Sequence, residues 1–388
     1  MNPATLHRQV GYLLLITVLS LVALGIVMLF SISGKQAAEG TGAIYGALQK
    51  QGFWIIIGGI ACATLSRWDY RWFTQRSVPI LLGFGFMLLL VFVPHLGRKI
   101  NGSWRWIAVG GFTIQPSEFV KWAVILFVAF WLGKNQRRLR TSWQGMGVPC
   151  LVALGAVAIL VVSHDLGSAA LICAVLTVML FIAGAPKRYL APIPLLSFGA
   201  LLGIAILMPE RRARLLAFLH PEASKSGKGY QVFQGLIAFG SGGPEGLGLG
   251  NSRQKMYYLP ESQTDFIGCI TGEELGLWVM LAVVFAFLIV LLCSGWISLH
   301  APDPTGVLLG VGLTTLMALQ TMVNLGVVTA LLPNKGLPLP FISYGGSNLL
   351  LCMMCIGMLF NLQRQGVYEP KVEEPALLQG RPGSTVRI

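Results

Sequence analysis

Asp265 closes a polar stretch, Y-L-P-E-S-Q-T-D-F-I, and a long apolar run follows directly. A carboxylate partly desolvated at such a junction has a raised pKa and can accept a proton as a general base. A lone Asp in that place can equally cap the helix that follows. Two further acids open apolar runs. Glu118 and Lys121, in Q-P-S-E-F-V-K, stand three apart and share a helix face. Charges at membrane depth are expensive and usually paired. The pair therefore reads first as a structural one that orients its helix, with direct substrate contact as the alternative. Asp165, after His164, either favours a helix N-terminus or serves a site.

Cations and hydroxyls gather in three polar segments. Arg105 lies between Trp104 and Trp106, aromatic residues that suit an interfacial belt. Arg211, Arg212 and Arg214 precede L-L-A-F-L, an amphipathic pattern that lies in a membrane interface and can touch lipid headgroups. The glycine-dense G-S-G-G-P-E-G-L-G-L-G-N-S permits close backbone approach and can shape anion-binding nests. From Leu331 to Asn348, prolines and glycines exclude a continuous helix. Irregular backbone at a membrane is tolerated where it is buried or lines a wet cavity. Lys335, Ser343, Tyr344 and Ser347 can offer polar groups to that cavity, or merely satisfy their own backbone.

The elements that must hold these residues are membrane helices. The chain has 388 residues, 55% hydrophobic and only 11% charged, with a mean hydropathy of +0.71. Soluble domains are about 25% charged. The net charge of +13 is spread in short patches between apolar runs, with no basic domain for nucleic acid. The seven cysteines are scattered, and the Cys352/Cys355 spacing lacks the second half of a zinc site. A span needs about 20 apolar residues. The chain offers ten such runs, near 11–32, 48–66, 77–95, 116–133, 147–163, 166–185, 188–208, 266–294, 304–331 and 342–362. The expected fold is thus an all-α polytopic membrane protein with about ten transmembrane helices and a long extracytoplasmic loop between the seventh and eighth. Ten spans put both termini on one side. That side carries 14 Lys and Arg residues, among them Arg71, Arg138, Lys187 and Arg364, against six in the opposite short loops. The positive-inside rule makes both termini cytoplasmic. Residues 1–10 form a cytoplasmic N-terminus, 11–364 the membrane domain, and 365–388 a polar cytoplasmic tail that reads as disordered.

The motifs G-S-W-R-W-I, Q-P-S-E-F-V-K, S-H-D-L-G-S, Y-L-P-E-S-Q-T-D-F-I, G-E-E-L-G and L-P-L-P-F-I-S-Y-G-G-S, in that order, resemble the SEDS family of shape, elongation, division and sporulation proteins. The N-G-S before Trp104 and the N-K-G of Asn334 to Gly336 look more like its FtsW branch than its RodA branch. The resemblance implies a peptidoglycan glycosyltransferase of the bacterial cytoplasmic membrane, acting at the division septum. It implies lipid II, a disaccharide-pentapeptide on undecaprenyl diphosphate, as substrate. It also implies a class B penicillin-binding protein, other divisome or elongasome membrane proteins and membrane lipids as partners. The family's essential acid matches Asp265, and its other polar positions match Arg105, Glu118, Lys121, Asp165, Lys335, Ser343 and Ser347. His164 stands where the family usually has Pro, and Pro244-Glu245 with Leu247 departs from its usual loop.

The chemistry agrees. An acceptor hydroxyl attacking an anomeric carbon needs a base, and Asp265 is the best placed. A departing diphosphate needs cations, which Lys335 or the Arg211–Arg214 cluster can supply. A divalent ion, magnesium or manganese, can share that work, although the sequence shows no metal cage. A lipid II flippase is the competing expectation; it would place its site near the midplane between repeats, and no repeat is visible. A scaffold would have no use for an ordered polar cavity.

Overall fold

The computed structural model describes residues 3–38, 44–100, 103–141, 144–219, 227, 229–256, 259 and 261–368. The apolar runs are helical because backbone in hydrocarbon must bond to itself. In chain order they begin with α1 (Pro3–Ala38), α2 (Ile44–Arg67), α3 (Tyr70–Gln75) and α4 (Ser77–Leu89). Three strands follow, β1 (Gly97–Ile100), β2 (Ser103–Val109) and β3 (Phe112–Ile114). Next come α5 (Pro116–Lys134), α6 (Gln136–Thr141), α7 (Gln144–Val162), α8 (Leu166–Ile182), α9 (Lys187–Leu190) and α10 (Pro192–Leu207). The chain then runs through α11 (Pro209–Leu219), α12 (Tyr230–Gly242), α13 (Ile267–Leu299), α14 (Pro304–Val328) and α15 (Gly346–Tyr368).

Seven helices are long and apolar enough to cross a membrane, and Ser77–Phe92 and Leu166–Ile182 are shorter apolar helices. With α2 they occupy the ten positions expected. The middle of the bundle is α5, 83% of whose apolar window is buried, and the rim is α9–α10, where the share is 6%. α14 packs on both α5 and α13, and α15 on α2.

Three features depart from the expectation. The segment before α5 is an antiparallel sheet of order β1-β2-β3, so the fold is not purely helical. Arg98 pairs with Trp106 and Lys99 with Trp104, across a bulge between Arg98 and Lys99. Successive residues of a strand face opposite ways, so Arg105 points away from Trp104 and Trp106. The long loop is also largely ordered: α11 and α12 fill much of it. Finally, α1 starts at Pro3 and α15 runs on to Tyr368, so both termini are more helical than expected, and the tail from 369 lies outside the described residues.

α13 is interrupted at Gly276, whose φ of 78° and ψ of −176° are not helical. The glycine-dense loop fills the gap. Leu247 N and Gly248 N donate to the carbonyls of Glu273 and Glu274, at 2.9 Å each, and Leu277 N donates to Gly243 O at 3.0 Å. Orphaned helix carbonyls are thereby satisfied. A Cβ on Gly246 would lie 2.3 Å from Glu274 O, so only glycine allows this approach. The glycines here seat a loop against a helix.

Candidate functional site

The site forms where three polar segments meet at one end of the bundle. Asp265 sits one residue before the cap of α13. The cap itself is Phe266, which makes no side-chain capping bond. The capping explanation for Asp265 therefore fails. Its backbone is clamped instead: Asn324 Nδ2 donates to Asp265 O at 2.9 Å, Ser343 Oγ to Thr264 O at 2.6 Å, and Tyr344 N to Gln263 O at 2.9 Å. The carboxylate lies against Gly336, where an added Cβ would meet Oδ2 at 3.0 Å. Gly336 has φ +62°, a conformation that glycine adopts freely. Among the described residues no donor bonds the Asp265 carboxylate. Burial pushes it up to about 7, the charge of Glu261 adds to this, and Arg214 and Arg105 pull the other way.

Cations gather at the same end of the bundle, and two of them, Arg105 and Arg214, act on the acid. Arg105, on β2, donates to His164 O and stands 3.9 Å from Asp165 Oδ1. Arg211, on α11, donates to the same carbonyl at 2.7 Å. His164, whose carbonyl takes both bonds, has a φ of 63°, a value closed to proline. Asp165 both caps α8, accepting from Ser168 N at 3.3 Å, and pairs with Arg105. Burial works against its charge, but Arg105, Ser168, Lys121 and Ser117 outweigh burial and hold it below the usual carboxylate value. Burial, with Arg105 and Arg214 alongside, brings Arg211 down to about 10, still charged at neutral pH. Partial burial and the charge of Arg211 lower the Lys335 pKa.

Arg212 is exposed on the far face of α11 and makes no ion pair with the site among the described residues. Arg214, one helical turn from Arg211, feels both Asp265 and Arg105. The hydroxyls of Ser343 and Ser347 already have backbone partners. Ser343 Oγ also accepts from Leu339 N at 2.8 Å, and Ser347 Oγ accepts from Gln115 N at 2.9 Å. They stitch the proline-rich segment in place. Tyr344 is half-buried and contributes its backbone. Glu118 and Lys121 form a buried ion pair at 2.8 Å, more enclosed than the cations Arg105, Arg211 and Arg214. Among the described residues Glu118 Oε2 has no partner. No group of three or more His, Cys, Asp or Glu that could hold a metal ion occurs among the described residues.

A family model described as "Cell cycle protein", covering FtsW, RodA and SpoVE, matches residues 12–368. The chain belongs to this family. "Probable peptidoglycan glycosyltransferase FtsW" of Geobacter metallireducens is 41% identical over 350 residues, covering 90% of this chain and 93% of that one. "Stage V sporulation protein E" of Bacillus subtilis is 38% identical over 358 residues, 92% and 97% of the two chains. Among solved structures, a chain from a peptidoglycan synthase complex, studied for the structural coordination of polymerization and crosslinking, superposes with TM-score 0.74 at 27% identity, covering 91% and 97%. Thermus thermophilus rod shape determining protein RodA gives 0.66 at 25%, covering 90% and 95%.

In this FtsW/RodA/SpoVE chain, sequence reasoning passed over four residues. Asn324 and Gln320 lie one turn apart on α14. Asn324 Nδ2 also donates to Leu337 O at 2.7 Å, and Gln320 Nε2 donates to Pro338 O at 3.1 Å. They supply the bonds that the irregular segment cannot make for itself. Their signal was a Q-x-x-x-N spacing inside an apolar run. Glu273 and Glu274, in G-E-E-L-G, are wholly buried; two adjacent acids inside an apolar run were the signal there.

Proposed function

We propose that this chain polymerises lipid II into glycan strands, with Asp265 as general base. The acceptor hydroxyl gives its proton to the Asp265 carboxylate as its oxygen bonds the anomeric carbon of the donor. The bond from that carbon to the diphosphate oxygen breaks, and undecaprenyl diphosphate leaves with the electron pair. Arg105 and Arg214 act on the acid, Arg211 and Lys335 stand beside them, and together they offset the charge that builds on the diphosphate. The observation that carries the reading is the placement of Asp265, half-buried and, among the described residues, unbonded on its carboxylate, within reach of the charges of Arg105 and Arg214 at one end of the bundle.

This end faces outward if both termini are cytoplasmic, as the charge asymmetry argues. The reaction then takes place at the outer face of the cytoplasmic membrane. The relatives named FtsW support a septal role, and the resemblance to a chain of a peptidoglycan synthase complex supports a class B penicillin-binding protein as partner. A magnesium or manganese ion held by the substrate's own diphosphate would add positive charge there, and the described residues offer it no cluster of three or more acids, histidines or cysteines. A site at one end of the bundle argues against a flippase, which needs one near the midplane.

The test is purified protein, with and without a class B penicillin-binding protein, given labelled lipid II. Glycan strands should form with wild-type protein, and Asp265→Asn should reduce them by ~10²–10⁴-fold while lipid II still binds. An Asn variant polymerising at a tenth of the normal rate sinks the assignment. Lipid II crossing vesicles without polymer would favour the flippase.

A further inference from the structure

We propose that Glu273 and Glu274 are positioning residues for Asp265: their buried carboxylates fasten the start of the loop that ends on Asp265 to α13, and through Lys255 to α1. This rests on the reading of Asp265 as the base.

The segment from Ser252 to Phe266 is fastened at both ends, with residues 257, 258 and 260 outside the described residues. It ends by running into α13 just after Asp265. It begins fixed to the same helix two turns further on. Glu273 takes Ser252 Oγ, Arg253 N at 3.0 Å, Gln254 N at 3.3 Å and Ser241 Oγ at 3.4 Å. Glu274 takes Lys255 Nζ at 2.6 Å, Ser31 Oγ at 2.6 Å and Ser252 N at 3.3 Å. Lys255 Nζ also reaches Ser31 Oγ at 3.0 Å, so α1 joins the same knot. Both acids are 0% exposed.

Two carboxylates in the interior are an expensive way to hold a loop. A merely structural brace needs no charge, because well-packed apolar residues of similar volume hold as well or better. What a carboxylate adds is direction. It accepts several N–H and O–H donors at once and fixes the path of the backbone that carries them. Here that backbone opens the segment that ends in Asp265. The far end of the segment is fixed by Asn324 and Ser343, so the acid is held from both sides. The break at Gly276 keeps the short first segment of α13, which bears Asp265's end and both glutamates, as one unit separate from the rest of the helix.

The experiment uses the full chain with its penicillin-binding partner and labelled lipid II. Glu273→Gln turns an amide N–H toward backbone donors, and Ser252→Ala removes one donor with little risk to folding. In both, kcat should fall, by up to ~10²-fold for Glu273→Gln, while KM for lipid II stays within about twofold because the cations are untouched. The acid limb of the pH–rate profile should also move toward lower pH, as Asp265 loses its fixed, desolvated seat. A brace without a positioning role would lower the yield of active protein and leave that limb where it is. An unmoved limb in both variants, or wild-type kcat in both, overturns the proposal. Asp265→Asn is run alongside: if it stays active, the base assignment has failed, whatever the glutamate variants do.

Discussion

Asp265 carries a cost that Arg214 and Arg105 relieve only in part. Its folded pKa of about 7 stands above the ordinary aspartate value of 3.8. The sign follows from linkage. Between these two values the folded chain holds a proton that the unfolded chain releases, so this group's stabilising contribution is full below about 4 and lost as pH rises through about 7. Asp265→Asn, which removes the buried charge, should therefore melt higher than wild type at pH 8 and the same at pH 4, read by thermal denaturation in detergent. Activity runs the opposite way. The base works only when ionised, so kcat/KM should climb through pH 7. The cations make a second residue-scale test. Arg214→Gln should slow polymerisation, by up to ~10²-fold, whereas Arg212→Gln should leave the rate unchanged, because its side chain lies on the opposite face of α11.

At the scale of elements, the site depends on side chains that stand in for missing backbone partners. Asn324→Leu leaves the carbonyls of Asp265 and Leu337 unpaired, each at about 1–3 kcal/mol. The variant should melt lower and polymerise more slowly, with lipid II binding measured separately. The spans were legible because length and apolarity suffice to mark a membrane helix. Asp265, Asp165, Arg105 and Lys335 were legible because charge at an apolar boundary is conspicuous. The sheet was not, since β1 and β3 are short and their residues alternate too briefly to show a period of two. α12 was hidden by its glycines. The interruption of α13 was hidden too, because one glycine in a long apolar run looks like any other; what breaks the helix is a distant loop that supplies the replacement bonds. Which of Arg211, Arg212 and Arg214 meets the site was not legible, because adjacency in sequence conceals which face of a helix each one takes.

At the scale of the whole molecule, Glu118 and Lys121 lie in the most buried helix. Lys121→Ala leaves an unpaired carboxylate in the interior, which costs about 3–5 kcal/mol, so folded yield in detergent should drop. Glu118→Gln with Lys121→Met should restore yield, and restored yield without polymerisation would assign the pair a direct part in the reaction. Orientation is tested by single cysteines in a cysteine-free background. Positions near Arg138 should label from the cytoplasm and Lys335 from outside.

The seating of the glycine-dense loop in the gap of α13 also bears on how the protein can be handled. A run so rich in glycine looks like the natural place to splice in an epitope tag or a fluorescent reporter. Here it completes a helix, and an insertion between Glu245 and Gly246 would pull out the strand of backbone that satisfies Glu273 O and Glu274 O. The turn at Gly110–Gly111 is the opposite case. It is exposed, and added Cβ atoms there would meet nothing within 4 Å. A reporter spliced at that turn should leave the chain foldable, while the same reporter at 245–246 should give no folded protein.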